Sequence, residues 1–92
     1  MTTLKIPTPL RVYAGDQAVV EVKGNTVGEA VQSLVSQYPA LRPHLYNPAG
    51  ELRPFVNLFL GADNVRDLAG LDTPLPAGAQ LRLIPSIAGG LG

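Results

Sequence analysis

The sequence predicts an α+β domain in which a mixed sheet of four to five strands carries one main helix, about residues 26–38, on one face. Three observations predict it. Thr26 stands three residues before Glu29 as a capping box, and Val27, Ala30, Val31, Leu34, Val35 and Tyr38 then recur at helical spacing, with Glu29, Gln32, Ser33, Ser36 and Gln37 on the other side. Phe55 to Leu60 is an apolar, strand-like run. Near the end, Gln80, Arg82 and Ile84 alternate with Leu81 and Leu83. A striped helix laid over strands that each have an apolar face buries every stripe at once.

Taken in order, Leu4 to Ile6 begins a strand that Pro7 and Pro9 restrict to an edge, a bulge or an early break, and Leu10 to Tyr13 resumes it. Ala14-Gly15-Asp16-Gln17 turns the chain, and Ala18, Val20 and Val22 alternate with Val19, Glu21 and Lys23 as the second arm of a hairpin. Gly24-Asn25 leads into the helix and Pro39 ends it. Burying aliphatic side chains at ~1.5–3 kcal/mol each makes this stripe core. Pro39, Pro43, Pro48, Gly50 and Pro54 predict a crossing segment with little regular structure, pinned by Leu41, Leu45 and Tyr46. Apolar residues on both faces of Phe55–Leu60 place that run centrally in the sheet. Gly61 to Asn64 is a turn, Val65-Arg66 a short strand, Asp67 to Leu75 a loop or short helical turn, and Pro76-Ala77-Gly78-Ala79 the turn into the last strand.

Composition narrows the function. Ninety-two residues make one small domain, with the folded body at 1–84 and a tail at 85–92. Seven basic residues balance seven acidic ones and are dispersed, which leaves no nucleic-acid footprint. Without cysteine there is no disulfide framework, thiolate metal site or cysteine nucleophile. Met1 to Lys5 lacks the apolar core of a signal peptide and no apolar run reaches membrane-span length, so a cytoplasmic protein with no membrane partner is expected.

The tail, Pro85-Ser86-Ile87-Ala88-Gly89-Gly90-Leu91-Gly92, has no charged side chain. Pro85 biases Ile84 toward an extended conformation, so the last strand runs outward. At ~3.3 Å per extended residue the chain from Pro85 to Gly90 spans about 20 Å, enough to thread a narrow channel on a partner. Glycine leaves the end of such a chain without side-chain bulk. Ile87, Ala88 and Gly89 are the residues expected to dock in such a channel.

The helix after an N-terminal hairpin, the segment Arg53-Pro54-Phe55-Val56-Asn57-Leu58-Phe59-Leu60, the stretch Asn64-Val65-Arg66 and the ending Leu83 to Gly90 together resemble the ubiquitin-like sulfur carrier proteins of the β-grasp fold, the MoaD/ThiS type. Pro85 to Gly90 matches the Pro-x-[Val/Ile]-Ala-Gly-Gly ending of the molybdopterin-synthase small subunits and the CysO-like carriers of cysteine biosynthesis, and Arg53 to Asn57 and Asn64 to Arg66 look more like the CysO side than the thiamine-pathway carrier. Asn57 fits that family strand, and reads equally as a polar residue hydrogen-bonded at a sheet edge. The resemblance implies that an activating enzyme adenylates the terminal glycine with ATP, that a sulfur donor converts it to a thiocarboxylate, and that a sulfur-accepting synthase receives the sulfur. The carrier itself binds no cofactor. Gly90 is the implied working residue. Leu91 and Gly92 depart from the pattern, because a peptide bond after Gly90 blocks chemistry there. A metallopeptidase that trims them is the implied partner, with Gly92 as the working terminus the alternative.

Other classes have less support. His44 is the only histidine and lies in the crossing segment, with no nucleophile or phosphate loop beside it, which disfavours an enzyme. A ubiquitin-like modifier, conjugated through the same glycine to lysines, fits the tail equally well. A non-covalent interaction module would require exposed apolar residues on the last strand, such as Leu81 or Leu83, whose more natural place is the core.

Overall fold

Alternation turns Thr2 and Leu4 of strand β1 (Thr2–Lys5) toward the core and leaves Lys5 exposed, in the computed structural model, which describes residues 2–85. Strand β2 (Val19–Val22) returns antiparallel to it, pairing Leu4 with Val20 and Thr2 with Val22. The predicted hairpin is therefore present, but Leu10 to Tyr13 is not part of it. Thr8–Ala14 forms a 3-10 turn instead, started by the Pro7-Thr8-Pro9 segment and closed by Gly15 and Asp16 at φ 61° and 62°. Proline's fixed φ suits a first helical turn, and burial of Leu10 and Ala14 with Val12 67% exposed follows a helical spacing. Ala18 is exposed, so only Val20 and Val22 of the expected inward face are buried.

Helix α1 (Val27–Gln37) buries Val27, Ala30, Val31, Leu34 and Val35, as the stripe predicts. The Glu29 N–H donates to Thr26 Oγ1 at 3.2 Å, while the Glu29 carboxylate accepts from the Asn25 N–H at 2.7 Å, so the reciprocal half of the capping box falls one residue early. On its exposed side, α1 covers the free edge of β2: Gln37 Nε2 donates to the Glu21 carbonyl at 2.9 Å and Ser33 Oγ accepts from the Lys23 N–H at 3.0 Å.

The crossing segment is more regular than expected. A 3-10 turn (Pro39–Leu41) runs into the short helix α2 (Arg42–Leu45), with Pro39 and Pro43 in first-turn positions that proline tolerates. Leu41, Leu45 and Tyr46 are buried and pin it down as anticipated.

Strands β3 (Val56–Leu60), β4 (Asp63–Asn64) and β5 (Gln80–Pro85) complete a five-stranded sheet in the order β2-β1-β5-β3-β4. Strand β5 runs parallel to β1 and antiparallel to β3, so it, and not β3, is the central strand. The second face of β3 is only partly covered: Phe59 lies under the Arg82 guanidinium, 5.5 Å from its ring centroid, and Phe55 precedes the strand, 37% exposed. Val65-Arg66 is not a strand. The strand falls at Asp63–Asn64, and Val65–Asp67 forms a 3-10 turn whose Arg66 N–H is capped by Asn64 Oδ1 at 3.0 Å. A last 3-10 turn, Gly70–Asp72, lies in the loop before β5. The apolar stripe of α1 and the inner faces of the sheet, including Leu4, Leu58, Leu81 and Leu83, form one core.

Candidate functional site: the root of the C-terminal arm

The residues expected to carry the chemistry, Gly90 with Ile87, Ala88 and Gly89 before it and Leu91 and Gly92 after it, lie outside the described residues. What the structure defines is the strand end, Pro85, to which they are joined in sequence. The register of β1 with β5 ends at Lys5↔Arg82. Beyond it, Leu83, Ile84 and Pro85 pair with Leu58, Asn57 and Val56 of β3. Strand β4, in turn, meets β3 only at Phe59 and Leu60. Among the described residues, then, the sheet narrows to two strands at Val56–Leu58 and Leu83–Pro85, where Val56, Leu58 and Leu83 pack into the core.

Arg66 adds polar contacts at the outer edge of β3. Its Nη1 donates to the Pro54 carbonyl at 2.7 Å, and its Nη2 donates to the carbonyls of Val56 at 2.8 Å and Arg53 at 3.0 Å. One guanidinium thus occupies the outer edge of β3 where a neighbouring strand is missing. Hydrogen bonds from a charged donor contribute about 1.5–3 kcal/mol where shielded and less where water competes, as it does for the outer two of these. Arg53 ties the same turn to the crossing segment, its N–H donating to Leu45 O at 2.8 Å and its Nε to Pro43 O at 3.0 Å. Asn64 Nδ2 donates to Asn57 Oδ1 at 3.3 Å, so Asn57 is a hydrogen-bonded polar residue on the half-covered face.

These hydrogen bonds bring Arg53-Pro54, Asn57 and Asn64-Val65-Arg66 together in space. The sequence gives no local sign of the Arg66 bonds, because their acceptors are main-chain carbonyls 10 to 13 residues away. An Asn two residues before an Arg signals only the turn.

On the face of the sheet away from α1, Lys5 and Arg82 are cross-strand neighbours and Ile84 is 39% exposed beside them. With Arg11 they border a shallow cleft of about 330 Å³ next to the root. Leu81 and Leu83 are buried, so neither forms a docking patch. His44 stacks on Tyr13 with ring centroids 4.1 Å apart. Among the described residues no group of three or more His, Cys, Asp or Glu is placed to hold a metal ion, and no helix is long and apolar enough to cross a membrane.

A model of the ThiS family matches residues 4–90. The chain belongs to the ThiS family. This is the ThiS/MoaD-type group of ubiquitin-like sulfur carriers, and the architecture above is its β-grasp fold. The chain is 34% identical over 90 residues to the sulfur carrier protein CysO of Mycobacterium tuberculosis, covering 96% of this chain and 97% of that one. It is 34% identical over 88 residues to small archaeal modifier protein 1 of Haloferax volcanii, covering 94% and 97%. Among solved structures, that of the BexX/CysO complex of Amycolatopsis orientalis matches with a TM-score of 0.87 and 32% identity, over 98% of this chain and 100% of that one. The ThiS family thus includes close relatives named as carriers and as modifiers.

Proposed function

We propose that this protein is a sulfur carrier whose C-terminal glycine, Gly90 once Leu91-Gly92 has been removed, is adenylated and then converted to a thiocarboxylate. The observation that carries the reading is the sequence that continues the central strand past its last described residue, Pro85: Ser86-Ile87-Ala88-Gly89-Gly90, a stretch without charge that ends in two glycines. In the first step a metallopeptidase hydrolyses the Gly90–Leu91 bond. The freed carboxylate attacks the α-phosphorus of ATP in the activating enzyme and pyrophosphate leaves. A sulfide-equivalent donor then attacks the acyl carbon, AMP leaves, and the terminus carries C(O)S⁻ for transfer to a synthase. The chain contributes delivery and the partners contribute the acid, base and nucleotide. The strong match to CysO favours cysteine biosynthesis in the cytoplasm, ahead of molybdopterin synthesis.

The match to a small archaeal modifier supports a second reading, in which a lysine amine replaces sulfide as the nucleophile. Conjugates that resist reductant in cell extract favour the modifier, and a lone thiocarboxylate favours the carrier. Deleting residues 88–92 should abolish partner-dependent sulfur transfer while leaving thermal unfolding unchanged. Transfer that survives the deletion overturns both readings.

A further inference from the structure

We infer that the Val19 end of the outer edge of β2 is a strand-addition site for an extended segment of a protein partner, one with a basic residue two positions before a β-branched apolar residue. The inference goes beyond the activation chemistry and stands on β2 and α1 alone. Strand β2 ends the sheet on its β1 side. Three hydrogen bonds fix which way its main chain faces. The Ala18 carbonyl accepts from the Ile6 N–H at 2.8 Å and so points toward β1, whereas the Glu21 carbonyl and the Lys23 N–H meet Gln37 and Ser33 of α1 and so point outward. The alternation of an antiparallel ladder then turns Val20 and Val22 toward β1, and Val19 with Glu21 and Lys23 away from it.

Helix α1 thus covers the Lys23 end of this edge and leaves the Val19 end open. Among the described residues, the Val19 N–H, the Val19 carbonyl and the Glu21 N–H have no partner. Two residues of an added antiparallel strand complement these three groups. One exchanges both its bonds with Val19, and the carbonyl of the residue two before it accepts from the Glu21 N–H. A cleft of about 700 Å³ runs along the edge, with Gln17, Val19 and Glu21 on the strand side and Ser36, Gln37 and Tyr38 on the α1 side. A proline or a long charged side chain commonly guards such an edge, but the open position is Val19, 49% exposed.

The side chains on this edge select the occupant. Val19 and Glu21 both stand on the exposed face of the sheet, and residues directly opposite one another on one face interact. An added strand therefore sets one residue against Val19, where an apolar one fits, and the residue two before it against Glu21, where a basic one fits. The Glu21 carboxylate has no ion pair among the described residues. Charge complementarity favours a partner segment over a second copy of this chain. A copy paired Val19 to Val19 sets Gln17 against Glu21, and one paired Glu21 to Glu21 sets like charges together.

The test titrates the full-length chain with the capped peptide acetyl-Gly-Thr-Lys-Thr-Val-Thr-Gly-amide and with its Glu-for-Lys counterpart, followed by NMR shifts and amide hydrogen exchange. We expect shifts centred on the Val19 and Glu21 amides and slower exchange at both, with exchange at Val20 and Val22 unchanged. The Glu peptide should bind about fivefold more weakly at low salt. Val19→Pro should remove binding and leave the fold intact, because the lost N–H points away from β1. Glu21→Lys should reverse the preference between the two peptides, which a change of structure alone would not do, and it decides if Val19→Pro does not fold. No shift at Val19 and Glu21 with millimolar peptide, or an unreversed preference in Glu21→Lys, overturns the inference. Exchange at Val19 that slows as chain concentration rises without peptide puts a second copy on the edge and overturns the choice of occupant.

Discussion

Val56 and Pro85 face each other across the β3–β5 ladder with both main-chain polar groups of Val56 turned outward, toward Arg53 and Arg66. A proline at this end of the central strand therefore removes no ladder hydrogen bond. The position of the proline matters to one residue. Pro85→Ala should change stability by no more than about 0.5 kcal/mol, as a surface change does. Ile84→Pro, by contrast, strikes the exchanging pair Asn57↔Ile84 and should cost about 1–3 kcal/mol through the acceptor it leaves unpaired. Urea unfolding of the two variants measures the contrast.

The start of α1 yields a second ordering. Gly24 has φ +150°, and a Cβ there would sit 2.6 Å from Glu29 Cβ and 2.9 Å from the Ala30 nitrogen. Gly24→Ala should therefore destabilise by about 2 kcal/mol or more. Thr26→Ala removes only the cap on the Glu29 N–H and should cost about 1 kcal/mol. In thermal unfolding the cap variant should melt about 4–8 °C lower, and the glycine variant lower still.

Tyr46 gives the fold an alkaline limit. Burial pushes its phenol above the ordinary value of 10.0, and the Arg42 guanidinium, 5.6 Å from the ring centroid, partly offsets this. Below that value both folded and unfolded chains keep the proton, and Tyr46 adds no pH dependence. Above it the unfolded chain ionises first, so the contribution of Tyr46 falls as pH rises from 10.0 through the higher folded value. Tyr46→Phe should flatten that part of the stability–pH curve relative to the native chain, which denaturant titrations on either side of the window measure.

At the reacting end, Gly90→Val in a chain ending at residue 90 should leave the melting temperature unchanged and abolish thiocarboxylate formation, because a branched side chain crowds the carbon that must meet the nucleotide phosphate. Mass analysis after incubation with the activating enzyme and sulfur donor checks it, and normal sulfur loading contradicts it.

What could be read in advance was what is local. The α1 cap and stripe lie within one stretch of chain, and the in–out alternation of β5 was legible for the same reason. Leu10 to Tyr13 misled because two nearby prolines fit either a broken strand or a first helical turn; the buried spacing of Leu10 and Ala14 was the signal that separates them. The centrality of β5 comes from parallel pairing with β1 across nearly the whole chain, which no window of sequence contains. For the candidate site, the arm was visible as composition. Its root was not, because Arg66 binds main-chain carbonyls, and these carry no residue identity to recognise.

The central claim is that Gly90 is the working terminus of a precursor. Intact mass, measured after the full-length chain is incubated with its native processing and activating proteins, ATP and a sulfur donor, tests it most directly. The predicted product is a chain ending at Gly90 with one carboxylate oxygen replaced by sulfur. Sulfur on an untrimmed chain ending at Gly92 would contradict the account.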